Sequence, residues 1–155
     1  MNVRRATRAD IDALVDLMTE VQELHVSNLA WLFRRAGRRA TAAYFRELFG
    51  GDASRIYLAC EDDEAVGYLL LTLLDLPANA FMYARRSLYI ESIAVKEGHR
   101  NRGYGAALLE TARIVAREQG CEQIELDTWG FNESAHAFFR AHGFDTLCLR
   151  MAAPV

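Results

Sequence analysis

The chain is poor in the residues that would place it in several large classes of protein. Lysine occurs once, at Lys96, and 18 basic against 21 acidic residues leave a formal net charge of −3. That balance lacks the basic footprint of a nucleic-acid binder, so no nucleic-acid partner is expected. Cysteine occurs three times, at Cys60, Cys121 and Cys148, in an odd number and with no CxxC pair. No disulfide framework or metal site is expected from that spacing, which fits reduced thiols in a cytoplasmic protein. Long apolar runs are missing too. Leu69–Leu76 is the longest, broken by Thr72 and Asp75, and falls far short of the roughly 20 residues that span a bilayer. Met1–Asp10 is charged and has no apolar core, so no secretory signal and no membrane partner are expected.

What is present is ordinary for a folded domain. The 155 residues are 52% hydrophobic and 25% charged, which fits one domain, residues 1–155, with a core of its own. Asn2–Ala6 reads as a short strand. Thr7-x-x-Asp10 then starts a helix with Ile11, Leu14, Val15, Met18 and Val21 at helical spacing, running to about Leu24. Ala40–Phe49 reads as a second helix, stopped by Gly50-Gly51. From Arg55 the period changes to two, and two strands joined at residues 61–64 form an antiparallel hairpin ending near Leu76. Ser87–Val95 is a strand, Tyr104–Gln119 a helix closed by Gly120, and Gln123–Thr128 a strand. Asn132 caps a helix ending at Gly143, and Asp145–Met151 reads as a closing strand. The expected order is β-α-α-β-β-β-α-β-α-β, an α/β (α+β) chain whose strand–helix–strand unit over Ser87–Thr128 is a parallel crossover.

The chemistry concentrates between Val95 and the following helix, in Arg100-Asn101-Arg102-Gly103-Tyr104-Gly105. A helix start offers unpaired N–H groups and the positive end of the macrodipole. Gly103 and Gly105 let an anion approach the backbone, and Arg100 and Arg102 add positive charge. A Walker A loop needs Gly-Lys-Ser/Thr, which is absent. A dinucleotide fingerprint needs a small residue where Leu108 stands, and its first glycine close behind the strand. Here residues 96–102 intervene.

Arg100-x-x-Gly103-x-Gly105, after a strand and before a helix, resembles the acetyl-CoA motif of the GNAT N-acetyltransferase superfamily. Asn132, Ala135, Phe138, Phe139, Gly143 and Phe144 stand in register with that family's downstream pattern. The resemblance implies a GNAT-like mixed sheet with a splayed strand pair forming an acetyl-CoA cleft. Acetyl-CoA would be the acyl donor, with no metal. The backbone of Ile93, Ala94 and Val95 would pair with the pantetheine arm. Amides of Arg100, Asn101, Arg102, Gly103, Tyr104 and Gly105, with Ala106 beside them, would hold the pyrophosphate. Asn132 would sit near the pantetheine, or serve as a plain helix cap, or do both. Phe139 counts among the cofactor contacts, at a position where the family often has tyrosine. Phenylalanine cannot protonate the leaving thiolate, so Tyr89, Tyr83 or water is expected to do so.

Amine acetylation needs a base, and Glu91 is the candidate, a carboxylate in an otherwise apolar strand. Strict alternation gives it a face shared with Tyr89, Ile93 and Val95, with Ser92 on the other. Ile93 or Ala94 could supply the N–H that polarises the thioester carbonyl. The resulting expectation is an enzyme that acetylates a primary amine of a small molecule by direct transfer. The alternatives are a protein lysine or N-terminal acetyltransferase, and a CoA-binding module without turnover. Segments 25–39 and 81–86 would wall the acceptor. Arg85 and Arg86 hint at an acceptor carboxylate or are solvated surface. A homodimer is expected from folds of this kind.

Overall fold

The computed structural model describes residues 1–155. Five strands form one sheet in the order β1-β2-β3-β4-β5: β1 Asn2–Arg5, β2 Ser54–Glu61, β3 Glu64–Leu76, β4 Arg85–Val95 and β5 Gln123–Leu126. The first four are antiparallel and β5 joins β4 in parallel. Helices α1 (Ile11–Asn28) and α2 (Arg38–Leu48) cover one face, and α3 (Tyr104–Glu118) and α4 (Glu133–Ala141) the other.

Each face has its own core because strand side chains alternate between faces. Leu58, Tyr68 and Leu70 are buried against Leu14, Leu17 and Phe45 on the first face. Leu69, Leu71, Leu88 and Ile90 are buried against Leu108, Leu109 and Phe139 on the second. The consecutive β3 residues 68–71 thus divide between the two cores, which is why that strand reads as a continuous apolar run. The start of α1 is fixed by Asp10, whose carboxylate accepts from the Thr7 amide at 2.8 Å and pairs with Arg4 at 2.7 Å. This pairing holds the Asp10 carboxyl well below the usual range.

The mixed sheet and element order agree with the sequence expectation up to the last element. The closing strand expected over Asp145–Met151 is not formed. Its alternation is real, but Leu147, Leu149 and Met151 are 76%, 81% and 90% exposed. No residue from 145 to 155 makes a backbone hydrogen bond, so the segment has strand patterning without a strand beside it. Several boundaries also differ, with β4 starting at Arg85 rather than Ser87 and α2 at Arg38 rather than Ala40. α1 runs a turn beyond Leu24, and β5 stops at Leu126 rather than Thr128.

Candidate active site

β4 and β5 pair only from Ser87↔Gln123 to Ile90↔Leu126, after which β5 ends and β4 continues for five residues. The two strands therefore separate at residue 91 and leave one edge of Glu91–Val95 unpaired. The Lys96 amide donates to Val66 O at 2.8 Å, and Tyr68 stands opposite Ala94. In an antiparallel ladder this turns the Ala94 backbone toward β3 and the Ile93 and Val95 backbones away from it, toward the gap. Of the three residues expected along the cofactor arm, Ile93 and Val95 present their polar groups there and Ala94 does not. Val95 O already accepts from Arg100 Nε at 3.1 Å.

The loop that follows is a run of open donors. Asn101 and Gly103 have φ of 59° and 88°, a left-handed conformation that glycine adopts without strain. The amides of residues 101–106 have no hydrogen-bond acceptor anywhere in the protein. Successive N–H groups in alternating hand, opening onto a helix N-terminus, form a concave anion site. All six residues are among those singled out from the sequence. The basic side chains divide differently from the expectation. Arg102 is paired with Glu61, whereas Arg100 has no carboxylate partner and is the cation left at the mouth.

Gly105 owes its identity to packing. A Cβ there would lie 3.0 Å from the Phe138 ring, so its missing side chain lets α4 close onto α3. Glu61 holds the loop from the far side. Its carboxylate accepts from Tyr104 Oη at 2.7 Å, from Arg102, and faces His99 Nε2 at 3.2 Å. The Tyr104 hydrogen bond is the main reason the Glu61 carboxyl is lowered.

Glu91 lies at a bulge. Leu70 faces Ser92 and Leu71 faces Ile90, so Glu91 is an extra residue with no partner on β3. The bulge corrects the alternation expected from sequence. Ile93 and Val95 pack with the α3 core, while Glu91 and Ser92 both turn to the α1–α2 face. Ser92 Oγ and Tyr68 Oη are 2.6 Å apart, and burial pushes the Tyr68 phenol up to about 12. Glu91 is exposed, and its charge raises the phenols of Tyr44 on α2 and Tyr89 on β4, in each case behind burial as the larger cause.

The candidates for protonating the thiolate do not converge. Phe139 is buried in the α3–α4 core, with its ring 5.5 Å from Phe144, which makes it a packing residue. Tyr83 is 94% exposed at the β3–β4 loop. Tyr89 donates to Asp127 Oδ2 at 2.8 Å, and burial together with that bond raises it to about 12, which makes it a weak acid. Asn132 caps α4, its Oδ1 accepting from the Ala135 amide at 3.2 Å while its NH2 donates to no protein group. The hinted carboxylate site at Arg85 and Arg86 is already filled, by Glu125 and Asp75.

Opposite the splay, the end of α1 meets the β5–α4 loop through aromatic rings. His25 stacks on Phe33 at 4.8 Å, and Phe33 meets Trp129 edge-on at 5.0 Å. Burial lowers the His25 pKa, which keeps the ring neutral. Phe33 lies in segment 25–39, expected to wall the acceptor, whereas Glu61 and Asp127 were not singled out from the sequence. Each acts through partners distant in the chain, and no local motif marks them. No group of three His, Cys, Asp or Glu side chains comes together to hold a metal, and no helix is long and apolar enough to cross a membrane.

An unpaired strand edge leads into a concave run of amides, which is the geometry of an anion site at a helix N-terminus. The family model for the acetyltransferase (GNAT) family matches residues 18–144, and the chain belongs to that family. Among individual proteins, it is similar to a Bos taurus thialysine N-epsilon-acetyltransferase, 32% identical over 62 residues. That match covers 40% of this chain and 36% of the relative's length. A tetramutant of the BH1408 protein from Bacillus halodurans superposes with a TM-score of 0.95 at 27% identity, covering 100% of both chains. The aminoglycoside N-acetyltransferase AAC(6')-Iy, solved with CoA, shares the fold with a TM-score of 0.76 at 16% identity, over 99% of this chain and 98% of that one.

Proposed function

We propose that this chain is a single-domain cytoplasmic enzyme that moves the acetyl group of acetyl-CoA to a primary amine of a small molecule, by direct transfer in a ternary complex. The observation that carries the reading is the continuity of two open donor sets. The Ile93–Val95 edge suits an amide-bearing pantetheine arm, and the amides of residues 101–106 suit a pyrophosphate at the end of that arm. Arg100 adds the charge, and the Asn132 NH2 remains free for a carbonyl along the arm.

In the proposed reaction Glu91 takes a proton from the acceptor ammonium, directly or through water. The neutral amine nitrogen then attacks the thioester carbonyl carbon. Charge develops on the carbonyl oxygen, and the Ile93 N–H, which faces the gap, is placed to stabilise it. One such donor contributes about 2.7–4 kcal/mol to the transition state. The C–S bond breaks, an amide forms, and the thiolate leaves. With Phe139 in the core and Tyr89 engaged with Asp127, water protonates the sulfur.

The acceptor cleft has a chemical bias. Glu91 and Asp127 bring carboxylates to the splay, Phe33 and Trp129 bring rings, and Arg35, Arg38, Arg85 and Arg86 are paired, which leaves Arg34 and Arg39 as the unpaired cations of segment 25–39. At the splay itself the carboxylates and rings suit an amine that carries a second positive charge. The relatives named above act on aminoglycosides and thialysine, which is compatible with a small amine.

The test is CoA release measured over a panel of amines, with CoA-dependent thermal stabilisation as control. Turnover with a polyamine-like acceptor and a Tm that rises with CoA are expected. A ligand at 100 times its Kd stabilises the native state by about 2.7 kcal/mol. No stabilisation at saturating CoA would refute the proposal. Stabilisation without turnover on any amine would leave a CoA-binding module, and turnover only on peptide lysines or N-termini would move the acceptor to protein.

A further inference from the structure

Between Ile90 and Ile93, which both pack on the α3–α4 core, β4 holds two residues where a regular strand holds one. Glu91 and Ser92 both turn to the α1–α2 face, so either could be the inserted residue. Ser92 takes the paired position, opposite Leu70, and Glu91 is left without a partner on β3. Backbone pairing alone does not make that choice, because a bulge moved by one residue leaves the rest of the ladder intact.

The choice is made in the core beneath. Tyr68 is fully buried on the α1–α2 face, with its ring edge-on to Phe45 at 6.5 Å. A buried hydroxyl needs a hydrogen-bond partner. The phenol has one, Ser92 Oγ at 2.6 Å, and Ser92 Oγ has no other. Tyr68 stands opposite Ala94 and Ser92 opposite Leu70, so the bond runs diagonally between β3 and β4 on the rung next to the bulge. With Glu91 in the paired position, an unpartnered carboxylate would lie against the same core, which is costly. Placed as the inserted residue, Glu91 is exposed, and its side chain makes no hydrogen bond or ion pair.

We infer that Ser92 and Tyr68 are positioning residues, whose hydrogen bond fixes the bulge at residue 91 and so holds the Glu91 carboxylate at the mouth of the splay. This role rests on the proposal that Glu91 is the base. Neither hydroxyl takes a proton from the acceptor. Without the pair, the inserted position is shared between residues 91 and 92, and the carboxylate is displaced from the acceptor for part of the time. A displacement of about 1 Å can cost about 100-fold in rate.

Ser92→Ala and Tyr68→Phe should each lower kcat about 10- to 100-fold while the CoA Kd stays within about twofold. The double variant should lose no more than the worse single one, since the two hydroxyls act as a unit. Ser92→Thr keeps the hydroxyl and should recover most of the rate. Unaltered kcat in either single variant, losses that multiply in the double, or no recovery with threonine would overturn the inference. A second readout needs no turnover. Amide hydrogen exchange of the CoA-free protein should quicken at residues 90–94 in both single variants and stay unchanged at residues 56–60 of β2. Equal quickening in both strands would mean a general loss of stability and would also overturn it. If Glu91→Gln leaves kcat unaltered while exchange quickens only at residues 90–94, the base lies elsewhere and the fixed bulge stands.

Discussion

Tyr104 donates its hydroxyl to Glu61 at 2.7 Å, joining the first residue of α3 to the last residue of β2 across 43 positions of sequence. The ring of Tyr104 is buried and its hydroxyl alone reaches the carboxylate. Glu61 also takes Arg102, so one side chain grips the loop at two points. Glu61→Ala should lower the apo protein's stability by only about 0.5–1.5 kcal/mol, the net contribution of the Tyr104 hydrogen bond, because the ion pair with the half-exposed Arg102 adds little. It should raise the CoA Kd by roughly threefold to tenfold, since a loop left mobile must be ordered on binding. Calorimetric titration alongside a melt of the apo protein checks both halves.

Arg100 and Arg102 look alike in sequence and should behave differently. Arg100→Ala removes the unpaired cation and should weaken CoA by about tenfold, with a shallower dependence on ionic strength. Arg102→Ala removes a charge already offset by Glu61 and should cost less. Equal losses in CoA titrations at two salt concentrations would contradict this.

Glu91→Gln keeps the shape of the bulge and removes the proposed base. The expected result is a fall in kcat of roughly 10²–10⁴-fold with CoA affinity unchanged. An unaltered kcat would shift the proton-accepting role elsewhere.

Gly105→Ala tests packing apart from binding. Alanine is better than glycine in a helix by about 1 kcal/mol, but its Cβ would meet the Phe138 ring at 3.0 Å. Overpacking costs about 1–3 kcal/mol, so the single variant should lose stability. With Phe138→Leu in the background the same alanine should become neutral or stabilising, a coupling that a double-mutant cycle of Tm measures.

Asp10 should make stability depend on acidity. Its folded pKa is depressed by Arg4 and by Thr7, so its stabilisation is fully present above the unfolded value near ~3.9 and is lost as pH falls through the lower folded value. Asp10→Asn should therefore be less stable than the parent at pH 7, with the difference shrinking as the solution is acidified. A constant gap across an acid titration of Tm would rule out this origin.

The features read correctly from sequence are those set by neighbours in the chain. The loop at Arg100–Gly105, the Asn132 cap and the α1 start at Thr7–Asp10 are decided by local backbone geometry and a few adjacent side chains. What the sequence did not reveal depends on a distant partner. The bulge at Glu91 is defined only against Leu70 and Leu71 of β3, so strict alternation put Ser92 on the wrong face. Glu61 acts on residues 99–104 and carries no motif of its own. The pattern at Asp145–Met151 was legible, but a pattern specifies which side chains want cover and not which edge supplies it.

The extra residue in β4 also bears on how such a site can change. In a regular strand, losing one position inverts every side chain beyond it. Here Ile90 and Ile93 lie on one face and Ser92 on the other, so removing Glu91 would leave a strand in perfect alternation, with both cores and the open backbone edge where they are. The carboxylate is thus a detachable module. A lineage could gain or lose this carboxylate by a single-codon insertion or deletion while keeping the open strand edge and the amide run beside it intact.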